Sequence, residues 1–142
     1  MFGVCFFPTR KADALNQWSY VLSHWRPNYV FLLTSSENPA YMHKHVRDAT
    51  HIVTADALPD LPMVLLAPQD GRFYQGDQNL ATFTHPKECV YMFGPDHHHL
   101  SEDEMGNRVP DHLVYIETDS NDEMYASIAA AVTLFDRKVK NG

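Results

Sequence analysis

The most informative stretch of this chain is an apolar run that is followed at once by a polar turn. It reads Cys89-Val90-Tyr91-Met92-Phe93-Gly94-Pro95-Asp96-His97-His98-His99-Leu100-Ser101. A continuous apolar run is typical of a strand buried on both faces of a sheet, and a Gly-Pro pair is typical of the turn that ends it. In open α/β sheets, ligands bind outside the carboxyl ends of the strands. The loop 94–101 is therefore a candidate ligand site.

A second apolar run and a long amphipathic segment complete the C-terminal third of the chain. The run at 112–116 predicts another buried strand, which ends in the polar sequence 117–119. The segment 120–140 predicts a helix. Ser120 and Glu123 have the spacing of a capping box, so we expect this helix to begin near Ser120.

Strands and helices alternate along the rest of the chain. Apolar runs predict strands at 2–7, 29–33, 51–54 and 63–67, and helical periodicity predicts helices at 11–25 and 40–48, with a short one near 78–83. Such alternation implies parallel strand pairing. The sequence thus predicts one α/β domain over residues 1–142, with a parallel sheet of five to six strands flanked by helices.

Composition excludes several classes of protein. The chain has 142 residues, of which 44% are hydrophobic and 20% charged, as in ordinary globular proteins. Its net charge of −7, with nine histidines held neutral, argues against a surface that broadly coats nucleic acid. No apolar run approaches the roughly 20 residues of a membrane span. We expect a cytoplasmic protein without membrane contact, and two buried free thiols, Cys5 and Cys89.

Two motifs in the C-terminal third carry a resemblance to a known family. Residues 92–101 resemble the motif hydrophobic-F-G-x-E-x-x-G-L-S, and residues 116–136 resemble I-P-[MT]…S-L-N-x-S-x-A-x-A-x-x-L-Y-E. Both motifs, in this order and spacing, are found in the SPOUT superfamily of trefoil-knotted RNA methyltransferases. The chain is most similar to the SpoU-like ribose 2′-O-methyltransferases.

The resemblance implies a fold and partners that the residues alone do not. It implies a C-terminal trefoil knot involving roughly residues 65–137, S-adenosylmethionine as cofactor with S-adenosylhomocysteine as product, and tRNA or rRNA as substrate. It also implies a homodimer. One face of the last predicted helix fits that expectation, since it carries Met124, Ile128, Ala129, Val132 and Phe135.

The resemblance also points to the residues of a cofactor pocket. They are Leu66, Phe93, Gly94, Asp96, Leu100, Ile116, Thr118 and Met124. In the family, much of the contact with the cofactor is made by the backbone of these loops, so the pocket tolerates changes of side chain. The alternative for Leu66, Phe93, Ile116 and Met124 is a role in the core.

The catalytic positions match the family less well. Where the family has an arginine on the first helix, this chain has Asn16, which cannot supply a guanidinium, although Arg10 is nearby. Glu123 and Tyr125 replace the serine and asparagine of the last motif. The candidate catalytic residues are therefore Arg10, Asn16, Glu123 and Tyr125.

The three consecutive histidines at 97–99 raise the question of a metal. Adjacent residues of an extended chain point to opposite faces, so three contiguous histidines rarely bind one ion, and we predict no metal site. His99 stands where the family usually has glycine.

Two functions remain open from the sequence. One is an S-adenosylmethionine-dependent RNA methyltransferase. The other is a catalytically inactive protein of the same fold, which binds the cofactor, an RNA or a protein partner, or acts as a regulator. An α/β nucleotide-binding domain of another family is a third alternative, although it would lack a phosphate-binding loop motif.

Overall fold

The computed structural model describes residues 1–9, 12–33, 50–96, 98–120 and 122–142, with the backbone alone at residues 12 and 50–52. In these ranges the elements are β1 (Phe2–Phe6), α1 (Ala12–Trp25), β2 (Tyr29–Leu33), β3 (Thr50–Val53), β4 (Met63–Leu66), β5 (Gln78–Asn79), β6 (Cys89–Phe93), α2 (Glu102–Met105), β7 (His112–Tyr115) and α3 (Ala126–Asn141). Two single 3₁₀ turns, Ala55–Ala57 and Leu80–Thr82, lie in the connections.

The described strands form one parallel sheet. Their order is β3-β2-β1-β6-β4-β7-β5, and every neighbouring pair runs parallel. Six of these strands were expected, and the two-residue strand β5 adds a seventh at the edge. The predicted parallel α/β class is confirmed. The last strand, β7, lies between β4 and β5, both of which precede it in the chain.

The apolar runs became strands because both faces of the sheet are covered. Along β6, Tyr91 and Phe93 belong to the core beneath α1 and α3, whereas Val90 and Met92 belong to the core on the opposite face. On the helical face the Trp18 ring stacks on Phe6, with the ring centroids 3.9 Å apart. A strand that buries both faces needs no polar alternation.

The start of the last helix was predicted wrongly. Helix α3 begins at Ala126, and no capping box forms at Ser120. Instead, the Ser120 hydroxyl accepts the N–H of Asp122 at 3.0 Å, and the Ser120 carbonyl accepts the Thr118 hydroxyl at 2.8 Å. These local bonds stabilise a turn that competes with helix formation.

A capping box does form elsewhere, at the start of α2. The Ser101 hydroxyl accepts the N–H of Glu104 at 3.2 Å, and the Glu104 carboxylate accepts the N–H of Ser101 at 3.0 Å. The sequence pattern predicted a loop at Ser101 and gave no indication of this short helix.

The segment at 78–83 also differs from the expectation. Its first two residues pair with β7 as strand β5, and only a 3₁₀ turn follows, in which the Asn79 side chain accepts the N–H of Ala81 at 3.0 Å. The helix predicted at 40–48 lies outside the described residues. Among the described helices, none is long and apolar enough to cross a membrane.

Candidate functional site

Three polar loops begin side by side at the carboxyl edge of the sheet. In the register of β4, Leu66 pairs with Phe93 on one side and with Val114 on the other. The loops that start at residues 67, 94 and 116 therefore leave neighbouring strands at the same level. This edge brings together Leu66, Phe93, Gly94 and Ile116, four of the eight residues predicted to bind the cofactor.

The predicted cofactor residues differ in how much surface they leave for a ligand. Phe93 is only 1% exposed and packs edge-on against Trp18, so it is a core residue. Leu66 and Ile116 are half-buried and pack on the same core, and Leu100 is half-buried on the opposite face of the sheet. Of the eight residues, Thr118 and Met124 are the most exposed.

Gly94 leaves open space at the end of β6. Its backbone does not adopt the positive φ that only glycine tolerates well, and a Cβ placed on it would meet only the Leu100 Cβ, at 3.7 Å. The backbone conformation therefore does not require glycine here. A larger side chain at Gly94 would fill the open space at the strand end, through which a ligand could approach the backbone.

Asp96 connects this loop to the last helix. Its carboxylate accepts the N–H of Ala126, the first residue of α3, at 2.8 Å, across 30 residues of sequence. Tyr125, in the N-cap position, makes no side-chain cap of its own. A carboxylate at this place satisfies a free N–H and faces the positive end of the helix dipole. Asp96 thus fixes the start of α3 against the loop that follows β6.

The loop after β7 is held by bonds within the same edge. The Asn79 side-chain amide donates to the Glu117 carboxylate at 3.1 Å, and the Thr118 hydroxyl donates to the Ser120 carbonyl. Gly76 lies close to this strand, because a Cβ there would stand 2.7 Å from the Tyr115 Cβ and 2.4 Å from the Ala67 carbonyl oxygen. The connection from β4 to β5 therefore packs directly on β7.

The candidate catalytic residues that the structure describes lie on α1 and just before α3. Asn16 is exposed on α1, Glu123 is exposed just before α3, and Tyr125 is half-buried at the start of α3. Arg10 lies outside the described residues. The catalytic role of Asn16, Glu123 and Tyr125 stays a prediction.

The sequence did not predict a contact between Ser127 and Gln17, which lies close to these residues in the chain. The buried Ser127 hydroxyl donates to the Gln17 side-chain carbonyl at 2.6 Å and so joins the first turn of α3 to the middle of α1. Ser127 aligns with the second serine of the family motif, and this match was the sequence signal that could have identified it.

The histidine run makes a local contact. His98 Nε2 lies 2.9 Å from the Glu104 carboxylate, and both His98 and His99 are exposed. His97 is outside the described residues. In the part of the chain that the structure describes, no group of three His, Cys, Asp or Glu side chains is placed to hold a metal ion.

An apolar groove runs between α1 and α3. It is lined by Tyr20, Val21 and Trp25 from α1 and by Ile128 and Ala131 from α3. Next to it, α3 continues with large apolar side chains that are well exposed, including Phe135 at 61% and Val139 at 67%.

The chain is similar to known proteins in structure but not in sequence. The sequence matches no protein-family profile and no curated protein. The AdoMet-bound rRNA methyltransferase from Sinorhizobium meliloti aligns with a TM-score of 0.71 at 14% identity, over 97% of this chain and 56% of that one. An RNA 2′-O ribose methyltransferase aligns with a TM-score of 0.72 at 13% identity, over 98% of this chain and 56% of that one. TrmJ from Z. mobilis ZM4 aligns with a TM-score of 0.68 at 10% identity, over 96% of this chain and 68% of that one.

The first two of these proteins are considerably longer, and this chain spans 56% of the length of each. The identities are low, so the similarity is one of fold. The resemblance inferred from the two C-terminal motifs is confirmed at the level of fold: the chain shares the parallel α/β fold of these solved structures, two of which are RNA methyltransferases.

Proposed function

We propose that this chain binds S-adenosylmethionine at the carboxyl edge of β4, β6 and β7 and transfers its methyl group to a ribose 2′-oxygen of tRNA or rRNA. One observation carries the proposal. The two motifs that resemble the family lie far apart in sequence, yet Asp96 from the first binds the first helical N–H of the second at 2.8 Å. This contact supports a single site built from both motifs.

The residues present at this edge fit the cofactor. Leu66 and Ile116 offer half-buried apolar surface of the kind that an adenine ring covers, and Gly94 leaves space for close approach to the backbone. Small-molecule sites commonly combine such apolar walls with a few polar groups. Thr118 and the backbone of the loop after β7 would hold the polar parts of the ligand, and Met124 would cover its open side.

The cofactor supplies an electrophilic methyl group on a sulfonium, and the protein must orient the acceptor and remove its proton. The proton of the acceptor hydroxyl would pass to a base of the protein. We assign that step to Glu123, an exposed carboxylate next to the start of α3. Asn16 and Tyr125 would position the acceptor, and Arg10 would offset the phosphate charge.

We expect cofactor binding to be better preserved than catalysis. The binding positions act largely through backbone, whereas Asn16, Glu123 and Tyr125 act through side chains that differ from those of the family. Loss of one transition-state donor costs on the order of 10²–10³ in rate. We expect slow methylation of unselected RNA. A faster rate would require a specific RNA.

The alternative function is a catalytically inactive protein that binds the cofactor, an RNA or a protein partner. The net charge of −7 favours it, because RNA phosphates are repelled by an acidic surface. Single-turnover transfer of a radiolabelled methyl group to total tRNA and rRNA distinguishes the two. Labelled RNA that disappears with Glu123→Gln supports the enzyme, and cofactor binding without any labelled RNA supports the alternative.

The family's knot and dimer belong to the same proposal. The position of β7 between the earlier strands β4 and β5 is compatible with such a knot. If the chain is knotted, stretching it by both ends would give a contour length shorter than that of the fully extended chain.

The groove between α1 and α3 supports a homodimer through these helices. The two buried thiols, Cys5 and Cys89, suit the reducing cytoplasm.

A further inference from the structure

A cluster of polar side chains lies near the end of α3 that is distant from Asp96. Its members are His85, Tyr91, Asp136, Arg137 and Lys140, which we call the α3 clamp. The His85 side chain is fully buried, with Nδ1 2.7 Å from the Tyr91 hydroxyl and Nε2 2.7 Å from an Asp136 carboxylate oxygen. The same carboxylate oxygen lies 2.8 Å from the Lys140 ammonium.

The clamp fastens the helix to main-chain carbonyls of the connection between β5 and β6. The Arg137 guanidinium donates to the carbonyls of Pro86 at 2.7 Å and of Lys87 at 2.8 Å. The Lys140 ammonium donates to two further carbonyls, those of Leu80 at 2.7 Å and Phe83 at 2.9 Å. Hydrogen bonds from charged donors are stronger than those between neutral groups. The second half of α3 is thus attached to the segment 80–87.

The hydrogen-bond partners determine where the protons of the clamp lie. An ionised Asp136 carboxylate can only accept, so His85 Nε2 carries the hydrogen that points to it. A neutral imidazole then has a bare Nδ1, which accepts the Tyr91 hydroxyl proton. Tyr91 in turn accepts a hydrogen bond from Arg137 at 2.9 Å. Each group is satisfied when His85 is neutral.

A proton added to His85 would disturb this arrangement in two ways. It would convert Nδ1 into a donor aimed at Tyr91, whose hydroxyl hydrogen would have to rotate away and lose its acceptor. It would also place a third positive charge, beside Arg137 and Lys140, around the single carboxylate of Asp136. Burial lowers the pKa of His85 below its ordinary value, and the hydrogen bond to Asp136 opposes this only in part.

Besides Asp136, the charged groups that act on His85 are the cations Lys140 and Arg137. The Cys89 thiol lies 3.8 Å from the Arg137 guanidinium, and burial raises the pKa of that thiol, so it stays neutral. The Met1 ammonium, 3.4 Å from the Lys87 carbonyl, adds positive charge on the same side. The rings of His85 and His112 both contact the Phe83 ring, with centroid distances of 5.1 and 5.3 Å.

We propose that His85 is a proton-sensitive latch of the α3 clamp, and that uptake of one proton by its imidazole releases the second half of α3 from the segment 80–87. The sign follows from linkage. A folded-state pKa below the unfolded value of about 6.5 gives stability that is complete above that pH and is lost as the pH falls toward the folded pKa. One proton can change the opening equilibrium by no more than about tenfold per pH unit.

Amide hydrogen exchange between pH 7.5 and 5.5, corrected for the intrinsic exchange rate, tests this proposal. Amides in the last turns of α3, from Leu134 onward, are expected to lose up to about tenfold of their protection per pH unit below about 6.5. Amides of β1 are expected to keep theirs. His85→Gln keeps a neutral donor and acceptor at this position and should remove the pH dependence, whereas the control His98→Gln, in an exposed loop, should retain it.

Two outcomes would overturn the latch. One is wild-type protection in α3 that does not change over this pH range, and the other is an unchanged dependence in His85→Gln. If that variant does not fold, nitrogen NMR of the wild-type imidazole decides the question. A neutral ring protonated on Nε2 at pH 7 that titrates below about 6.5 supports the latch, and an imidazolium at pH 7 excludes it.

Discussion

At the scale of single residues, Gly94 carries the strongest prediction for ligand binding. Gly94→Leu fills the space above the end of β6, and we expect it to weaken S-adenosylmethionine binding by at least about tenfold, or 1.4 kcal/mol. Gly94→Ala is the graded control, because its Cβ would meet only Leu100 at an ordinary 3.7 Å. Titration calorimetry measures both. Equal affinity in Gly94→Leu and the wild type, with unchanged circular dichroism, would remove Gly94 from the site.

The cysteines give a second residue-scale prediction. Cys5 and Cys89 are fully buried, and burial raises the pKa of both thiols. Because the thiolate is the reactive form, neither should react with a thiol reagent at pH 8 in the folded protein. Both should react once the chain is unfolded in urea. Fast labelling of the native protein would show that the core opens around β1 or β6.

At the scale of elements, the start of α3 depends on a residue from another part of the chain. Asp96→Ala removes the acceptor of the Ala126 N–H, so we expect the free energy of unfolding to fall by about 1 kcal/mol. Asp96→Asn keeps an acceptor and should cost only a few tenths. Urea denaturation measures the difference, with Asp119→Ala, an exposed change in the next loop, as the control. Asp96→Ala with wild-type stability would contradict the cap.

The same contact explains what sequence could and could not predict. Strands β2 and β6 were predicted to the residue, because their continuous apolar runs are bounded by Pro, Gly or polar residues. The start of α3 was misplaced because its cap comes from Asp96, 30 residues away, while Ser120 only resembled a local cap. The α3 clamp had no signal either, because His85 is 51 residues from Asp136 and meets it only in the fold.

The candidate site was predictable to a similar extent. The motifs indicated which loops meet, and parallel pairing placed their strand ends at one edge. Sequence could not tell core from ligand surface, so Phe93, which is 1% exposed, was assigned with Met124, which is 37% exposed. Burial depends on which helix covers a strand end, and no local pattern encodes that.

At the scale of the whole molecule, the exposed apolar face of α1 and α3 predicts self-association. Tyr20 is 68% exposed and Phe135 is 61% exposed, which is unusual for large apolar groups beside a groove. We expect light scattering to give about twice the 16.3 kDa mass of one chain. Phe135→Glu should shift the protein toward monomer. The control Val109→Glu, at a position 78% exposed outside these helices, should not. A monomer at all accessible concentrations would refute the dimer.

Calorimetric titration with S-adenosylhomocysteine tests whether the carboxyl edge of β4, β6 and β7 is a site for S-adenosylmethionine. The non-reactive product separates binding from turnover. We predict saturable heat with one site per chain, reduced by Gly94→Leu and unaffected by the surface change Val109→Glu. Two results would contradict a cofactor site at this edge. One is a folded wild-type protein that shows no binding heat up to millimolar ligand, and the other is binding that Gly94→Leu leaves unchanged.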